Sequence, residues 1–402
     1  MFDTSRLNRI ADWMQGYVDE RKFPGCSVLI EGLGQEQYLH TAGLRDISSG
    51  APFERDTIVR LYSMTKPITS AIFMMLLEEG RVHLEARLSD YIEAFEGCQA
   101  LIRGAERIDQ SEAAPSPTMQ HLLTHTSGLS YAFNPGLVPQ EMEAQDIWFG
   151  PAQGTLEVMC NTLAELPLAF VPGHQWEYSV GIDVIGRVIE IIEGKPLDQV
   201  FQERIFDPLG MGDTRFHFPE DALERCAHLY TPLAGNALGL NSAEFGADSL
   251  RLADDVMNSQ LRRTTLFSGG GGLVGTIDDY MAFCRMLHDG RGGGAQLLGH
   301  KSLAFMQRNH LGCEISAMGP QSFAEQPMCG MGFGIGGAVV LDPGRAGTPG
   351  HVGDFSWGGM ASTFFWIDPV AKLSVVFLTQ LSPSSSYPGR PQLKALVHGA
   401  LL

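Results

Sequence analysis

Apolar and polar residues follow two different rhythms along this chain, and the rhythm changes twice. From Met1 the first segment follows a helical repeat and forms an amphipathic helix that ends near Arg21. Cys26-Ser27-Val28-Leu29-Ile30 and Tyr38-Leu39-His40-Thr41-Ala42 then read as strands, joined through Gly32-Leu33-Gly34 as a hairpin. Ile68 to Leu77 is apolar almost all round, which predicts a centrally buried helix. Pro67 suits its first turn and Gly80 its end. From about 86 to 274 helical patterns dominate, with Gly-, Pro- and Ser-rich loops at 111–118 and 133–139. Val180 to Glu193 is a clear amphipathic helix, stopped by Gly194 and Pro196. Strand patterns return at Ala338–Leu341, Ser362–Ile367 and Leu373–Leu378, and a last helix runs from about Gln392 to the end.

Strands at both ends around a helical middle predict an α+β fold. One antiparallel sheet, flanked by helices, takes strands from both termini, and the middle forms a mostly helical lobe. The expected division is a discontinuous α/β domain of residues 1–85 and 275–402 and a helical domain of residues 86–274. With 402 residues the chain can bury a large core.

Composition narrows the function classes. A formal net charge of −18 argues against a nucleic-acid or anionic-membrane partner. The longest apolar run is too short to span a bilayer, and the first residues carry no signal-peptide pattern. Seven scattered cysteines, odd in number and without a Cys-x-x-Cys, fit a reducing cytoplasm better than a disulfide framework.

The chemistry centres on Leu61-Tyr62-Ser63-Met64-Thr65-Lys66-Pro67, the chain's only Ser-x-x-Lys. Three residues are about one helical turn, so the Ser63 hydroxyl and the Lys66 amine share a face. A serine hydroxyl needs a neighbour to take its proton before it attacks. Alone this pair is a weak signal, because a serine at a helix start is usually a cap and the lysine solvated. Its place before a buried helix adds free N–H groups and partial positive charge. Two more segments have the character to complete a site. Pro172-Gly173-His174-Gln175-Trp176-Glu177-Tyr178-Ser179 ends in a tyrosine just before a helix. Phe355-Ser356-Trp357-Gly358-Gly359-Met360 opens a strand whose glycines let backbone approach a ligand.

Together these segments resemble the serine β-lactamase-like superfamily, which includes class C β-lactamases, DD-peptidases and family VIII carboxylesterases. The resemblance covers nearly the whole chain. Ser63-Met64-Thr65-Lys66 looks like the first motif, Tyr178-Ser179-Val180 like the second and Trp357-Gly358-Gly359 like the third. His121-Leu122-Leu123-Thr124-His125-Thr126-Ser127-Gly128-Leu129 also looks like a family segment. The resemblance implies that Ser63 is the acylated nucleophile, with Lys66 and Tyr178 handling its proton. It implies an oxyanion hole from the N–H groups of Ser63 and Met360, and substrate contacts at Val180, Trp357, Gly358 and Gly359. No metal and no cofactor is expected.

A free phenol with a pKa near 10 is only about 0.1% ionised at pH 7. An ammonium about 4 Å away, at an effective dielectric near 20, favours the phenolate by about 4 kcal/mol, enough to make a usable base. A desolvated lysine could act as the base instead, and the residues leave both assignments open.

Departures from the β-lactamase pattern sharpen the substrate. Val180 stands where β-lactamases carry asparagine, and Trp357 where they carry the lysine that attracts a carboxylate. Tryptophan supplies an apolar wall and one N–H donor. With the acidic balance, this points to small neutral esters and to family VIII carboxylesterases. An amide hydrolase of β-lactamase or peptidase type, or an acyltransferase, is the alternative on the same fold.

Other motifs carry less. Ser356, Asp368 and His398 follow the α/β-hydrolase order, but a strand pattern follows Ser356 where a nucleophile elbow needs a helix. Gly332-Phe333-Gly334-Ile335-Gly336-Gly337 leads into a strand, so it lacks the helix of a dinucleotide site. His121 and His125 have zinc spacing but no third ligand, and Gly269 to Gly272 reads as a tight loop. His351 reads as a loop residue rather than part of the cleft.

Overall fold

The first long strand of the chain pairs with the last. Gly25–Gly32 runs antiparallel to Leu373–Thr379, with Cys26 opposite Thr379 and Leu29 opposite Val376. The computed structural model describes residues 2–232, 250–323 and 326–402. Around that central pair lies an eight-stranded antiparallel sheet. Its order is Met331–Phe333, Ala338–Val340, Phe355–Gly358, Phe364–Asp368, Leu373–Thr379, Gly25–Gly32, Gln35–Asp46 and Ala51–Pro52. Both ends of the chain therefore build one sheet, as their strand patterns imply.

Both faces of this sheet are covered. Leu29, Phe365, Ile367, Val376 and Leu378 pack on the side of the helix Thr65–Glu78. Val28, Ile30, Phe364, Trp366, Val375 and Phe377 pack against the helices Thr4–Asp19 and Gly389–Gly399. Neighbouring residues point to opposite sides, the period of a strand. With two apolar faces the central strands read as continuous hydrophobic runs instead of alternating ones.

The helix Thr65–Glu78 is buried from Thr65 to Leu76, and Gly80 follows it at φ +71°. It packs against Gly181–Glu193, which ends on Gly194 at φ +67°. The middle of the chain also holds two short hairpins, Gln99–Leu101 with Ser111–Ala113 and Leu229–Pro232 with Leu250–Asp254. Leu29 of the sheet, Ile68 of the buried helix and Val184 of the middle segment share one continuous core. Among the described residues, no helix is long and apolar enough to cross a membrane.

Two boundaries differ from the sequence pattern. Ser362, expected in a strand, adopts φ +63° in a turn, and the strand begins at Phe364. That turn returns the Gly359 N–H to the Thr363 carbonyl at 2.7 Å. The last helix begins at Gly389, because Pro391 falls in its first turn, where a missing N–H costs nothing.

Candidate active site

Tyr62 adopts φ +46°, a conformation that costs a bulky residue roughly 1–3 kcal/mol. The strain turns the chain from Val59–Arg60 into the single turn Tyr62–Met64, which feeds the helix Thr65–Glu78. Ser63 thus stands half-buried at the helix tip, while Lys66, one turn on, is completely buried.

Lys66 Nζ donates to the Gly270 carbonyl at 2.7 Å, to Tyr131 Oη at 2.9 Å and to Ser63 Oγ at 3.3 Å. Three acceptors use all the protons of an ammonium group. Tyr131 Oη in turn donates to Asp183 at 3.2 Å, and Asp183 also accepts from Ser268 Oγ at 2.5 Å and from the Gly270 N–H at 2.9 Å. Burial raises the Asp183 pKa, while the Lys66 charge and these hydrogen bonds oppose the rise.

Tyr178 brings its hydroxyl to 2.6 Å from Ser63 Oγ. Its backbone is fixed on both sides. Asn134 Nδ2 donates to the Tyr178 carbonyl at 2.8 Å, and the Ser179 N–H donates to His125 Nδ1 at 3.2 Å. Nδ1 is therefore an acceptor, and burial keeps the His125 pKa well below its usual value, so the ring is neutral. Lys66 Nζ lies 4.6 Å from the centroid of the Tyr178 ring. The same ring packs against Phe323, Tyr131 and Trp357, with centroids 4.7, 5.1 and 5.5 Å away.

The strand Phe355–Gly358 delivers the third segment, with Trp357 opposite Phe365. Trp357 is buried against Phe323 and Phe333, and its indole nitrogen has no hydrogen-bond partner among the described residues. Gly359 follows, so close to the Leu61 carbonyl that a Cβ there would collide with it. The strand end and the Ser63 turn are thereby pressed together, and Met360 and Ser63 line the same cleft.

That cleft holds about 220 Å³ of solvent-sized space. Its walls include Tyr131, Phe133, Trp148, Phe323 and Trp357, with Arg390 at its border. Ser63, Tyr178, Trp357, Gly358, Gly359 and Met360 all reach it. Val180 does not. Val180, expected as a substrate contact, is fully buried in the core. The residue follows Ser179 and caps the helix Gly181–Glu193.

Tyr131, Asp183 and Gly270 belong to the site although no motif announced them. Their signal is faint: an acid in the first turn of the helix behind Tyr178, and a glycine in the run from Gly269 to Gly272. At Gly270 a Cβ would run into the Asp183 carboxylate, which explains the glycine. His121 caps the helix Met119–Leu123, while His125 holds Ser179, so the pair has separate structural duties. His351 pairs with Asp368 at 2.6 Å and does not line the cleft.

Comparisons with known proteins agree on one group. The family profile described as Beta-lactamase matches residues 10–399. Protein Rv1367c of Mycobacterium tuberculosis is 36% identical over 351 residues, covering 86% of this chain and 82% of that protein. Esterase EstB of Burkholderia gladioli is 30% identical over 369 residues, covering 90% of this chain and 86% of EstB. Among solved structures, EstCE1, described as a hydrolase with promiscuous acyltransferase activity, superposes with a TM-score of 0.79 at 29% identity. The match covers 98% of each chain.

Proposed function

We propose a mechanism for this chain, which belongs to the β-lactamase family and is a serine ester hydrolase on that fold. Ser63 Oγ attacks the carbonyl carbon of a small neutral ester. Its proton passes to Tyr178 Oη, which reacts as the phenolate beside the Lys66 ammonium, and the N–H groups of Ser63 and Met360 hold the oxyanion. Tyr178 returns the proton to the departing alkoxide, leaving an acyl group on Ser63. Water then attacks that acyl-enzyme, with Tyr178 taking the water's proton and returning it to Ser63. Each oxyanion donor contributes about 3–4 kcal/mol in comparable sites.

The observation that carries this reading is the pairing of distances around Ser63. Tyr178 Oη is 2.6 Å from Ser63 Oγ, while Lys66 already serves three acceptors. In this reading Lys66 is a held cation, and Tyr178, as the phenolate beside it, is the group with a lone pair to offer. The cation lowers the cost of a phenolate beside it. Ser63, Lys66 and Trp357 come from residues 1–85 and 275–402, and Tyr131 and Tyr178 from residues 86–274, so the cleft falls between the two expected units.

The walls favour neutral acyl and alkoxy groups. Trp357 replaces a carboxylate-seeking cation with an aromatic face, the character of a family VIII carboxylesterase. Aromatic walls also suit the alkyl part of an alcohol better than they suit water. Together with the description of EstCE1, this favours acyl transfer to an added alcohol as a second activity of the same site. The seven free cysteines, four of them buried, fit a reducing compartment such as the cytoplasm.

The test is the ratio of kcat/KM for p-nitrophenyl butyrate and nitrocefin. The ester is expected to turn over at least about 100-fold faster, a difference of roughly 2.7 kcal/mol in transition-state binding. Faster nitrocefin turnover would replace this reading with that of a β-lactamase.

A further inference from the structure

We propose that Asp183 is the positioning residue that holds Lys66 as the permanent cation of the site. The inference deepens the mechanism above and rests on it. Asp183 is fully buried in the first turn of the helix Gly181–Glu193, and the proton transfers do not use it. A carboxylate withdrawn from water is costly unless something repays it.

The hydrogen-bond directions show what it does. Asp183 accepts the proton of Tyr131, so Tyr131 can present only a lone pair to Lys66. Asp183 also accepts the Gly270 N–H, which fixes the loop whose Gly270 carbonyl faces Lys66 at 2.7 Å. Both bridges between Asp183 and Lys66 therefore end in an obligate acceptor. An ammonium has one proton for each of these two acceptors and a third for Ser63, and the buried Asp183 carboxylate favours that cation over the neutral amine. The loop is built for this contact, because any side chain at 270 would occupy the place of the carboxylate.

The other groups around the pair do not replace the charge. Ser63 and Tyr178 face Lys66 as the reacting pair. His125, behind Tyr178, is kept neutral by burial. Cys160, on the neighbouring helix Leu156–Leu163, has its thiol pushed up by burial and is neutral too. Glu177 is engaged with Ser130 and Asn134. Asp183 thus supplies the buried negative charge that balances Lys66.

Removing that charge makes Lys66 easier to deprotonate. Without that cation the Tyr178 phenolate loses its neighbouring positive charge, so the alkaline limb of activity reports on the Lys66 ammonium. Asp183→Asn, nearly the same in shape, is expected to move the alkaline limb of the kcat profile down by about one pH unit or more. The fall in kcat at neutral pH should be about 10-fold or more. An Asp183→Asn enzyme that folds and keeps the wild-type alkaline limb would overturn the inference. If that variant does not fold, Tyr131→Phe breaks one bridge and should move the same limb in the same direction; an unmoved limb there would overturn it equally. Tyr178→Phe, run alongside, separates the two ideas. Full activity in Tyr178→Phe would remove the underlying mechanism, whereas an unmoved limb in Asp183→Asn removes only the role of Asp183.

Discussion

The Tyr178 hydroxyl lies 2.6 Å from Ser63 Oγ although 115 residues separate them in sequence. The contact depends on three independently fixed pieces of backbone: the strained turn at Tyr62, the His125 bond to Ser179, and the Asn134 bond to the Tyr178 carbonyl. Tyr178→Phe should therefore keep the ring in its aromatic nest and lose only the hydroxyl. A fall of about 10³-fold in kcat is expected, with little change in melting temperature, since base removal costs roughly 10²–10⁴-fold. Steady-state kinetics beside a thermal melt checks both parts.

Gly359 offers a second test, of packing more than chemistry. A Cβ added there would collide with the Leu61 carbonyl and the Thr363 hydroxyl. In Gly359→Ala the added methyl must push the third segment away from the nucleophile turn. A stability loss of about 1–3 kcal/mol is expected from overpacking, together with at least a 10-fold loss in kcat. Denaturant melts and ester kinetics on the same preparation would show whether the two losses come together.

Acid sensitivity should trace partly to His398. Burial and the nearby Lys394 lower its pKa to about 4, against an ordinary value of 6.5. The folded state thus prefers neutral His398. The stability this protects is fully present above pH 6.5 and is lost as pH falls toward 4. Between pH 6.5 and 5 the loss is about 2 kcal/mol. His351 acts in the opposite sense, because Asp368 raises its pKa, so its stabilisation is complete below 6.5 and fades as pH rises through the raised value. His351 is well exposed, which makes its share small. His398→Phe, retaining a ring beside Trp366, should flatten the acid-side loss in urea melts at pH 7 and pH 5. An unchanged slope would assign the loss to other groups.

The groups proposed to react stood out in the sequence because their identities are chemically demanding. A serine, a lysine one turn on, and a tyrosine ahead of a helix leave few alternatives once all three occur in order. The sheet was legible for a related reason: Leu373–Leu378 and Cys26–Ile30 are too apolar and too rich in branched side chains to lie elsewhere. Asp183 was not. It falls on the same helical stripe as Arg187 and Glu190, which periodicity assigns to the solvent side, yet it is fully buried beneath the active site. Tyr131 lies in a loop with no period at all, so nothing local says where its hydroxyl goes. Val180, whose place near Tyr178 suggested a substrate contact, is buried in the core and does not line the cleft. Motif spacing points to the residues proposed to react; the groups that hold them come from tertiary packing.

Intact-protein mass spectrometry with a slow aryl ester or an aryl phosphonate tests the central claim most directly, with wild type beside Ser63→Ala. The account expects one acyl or phosphonyl adduct per wild-type chain, placed on Ser63 by peptide mapping, and none on Ser63→Ala. An adduct of equal yield on Ser63→Ala, or one mapped to a different residue, would contradict it.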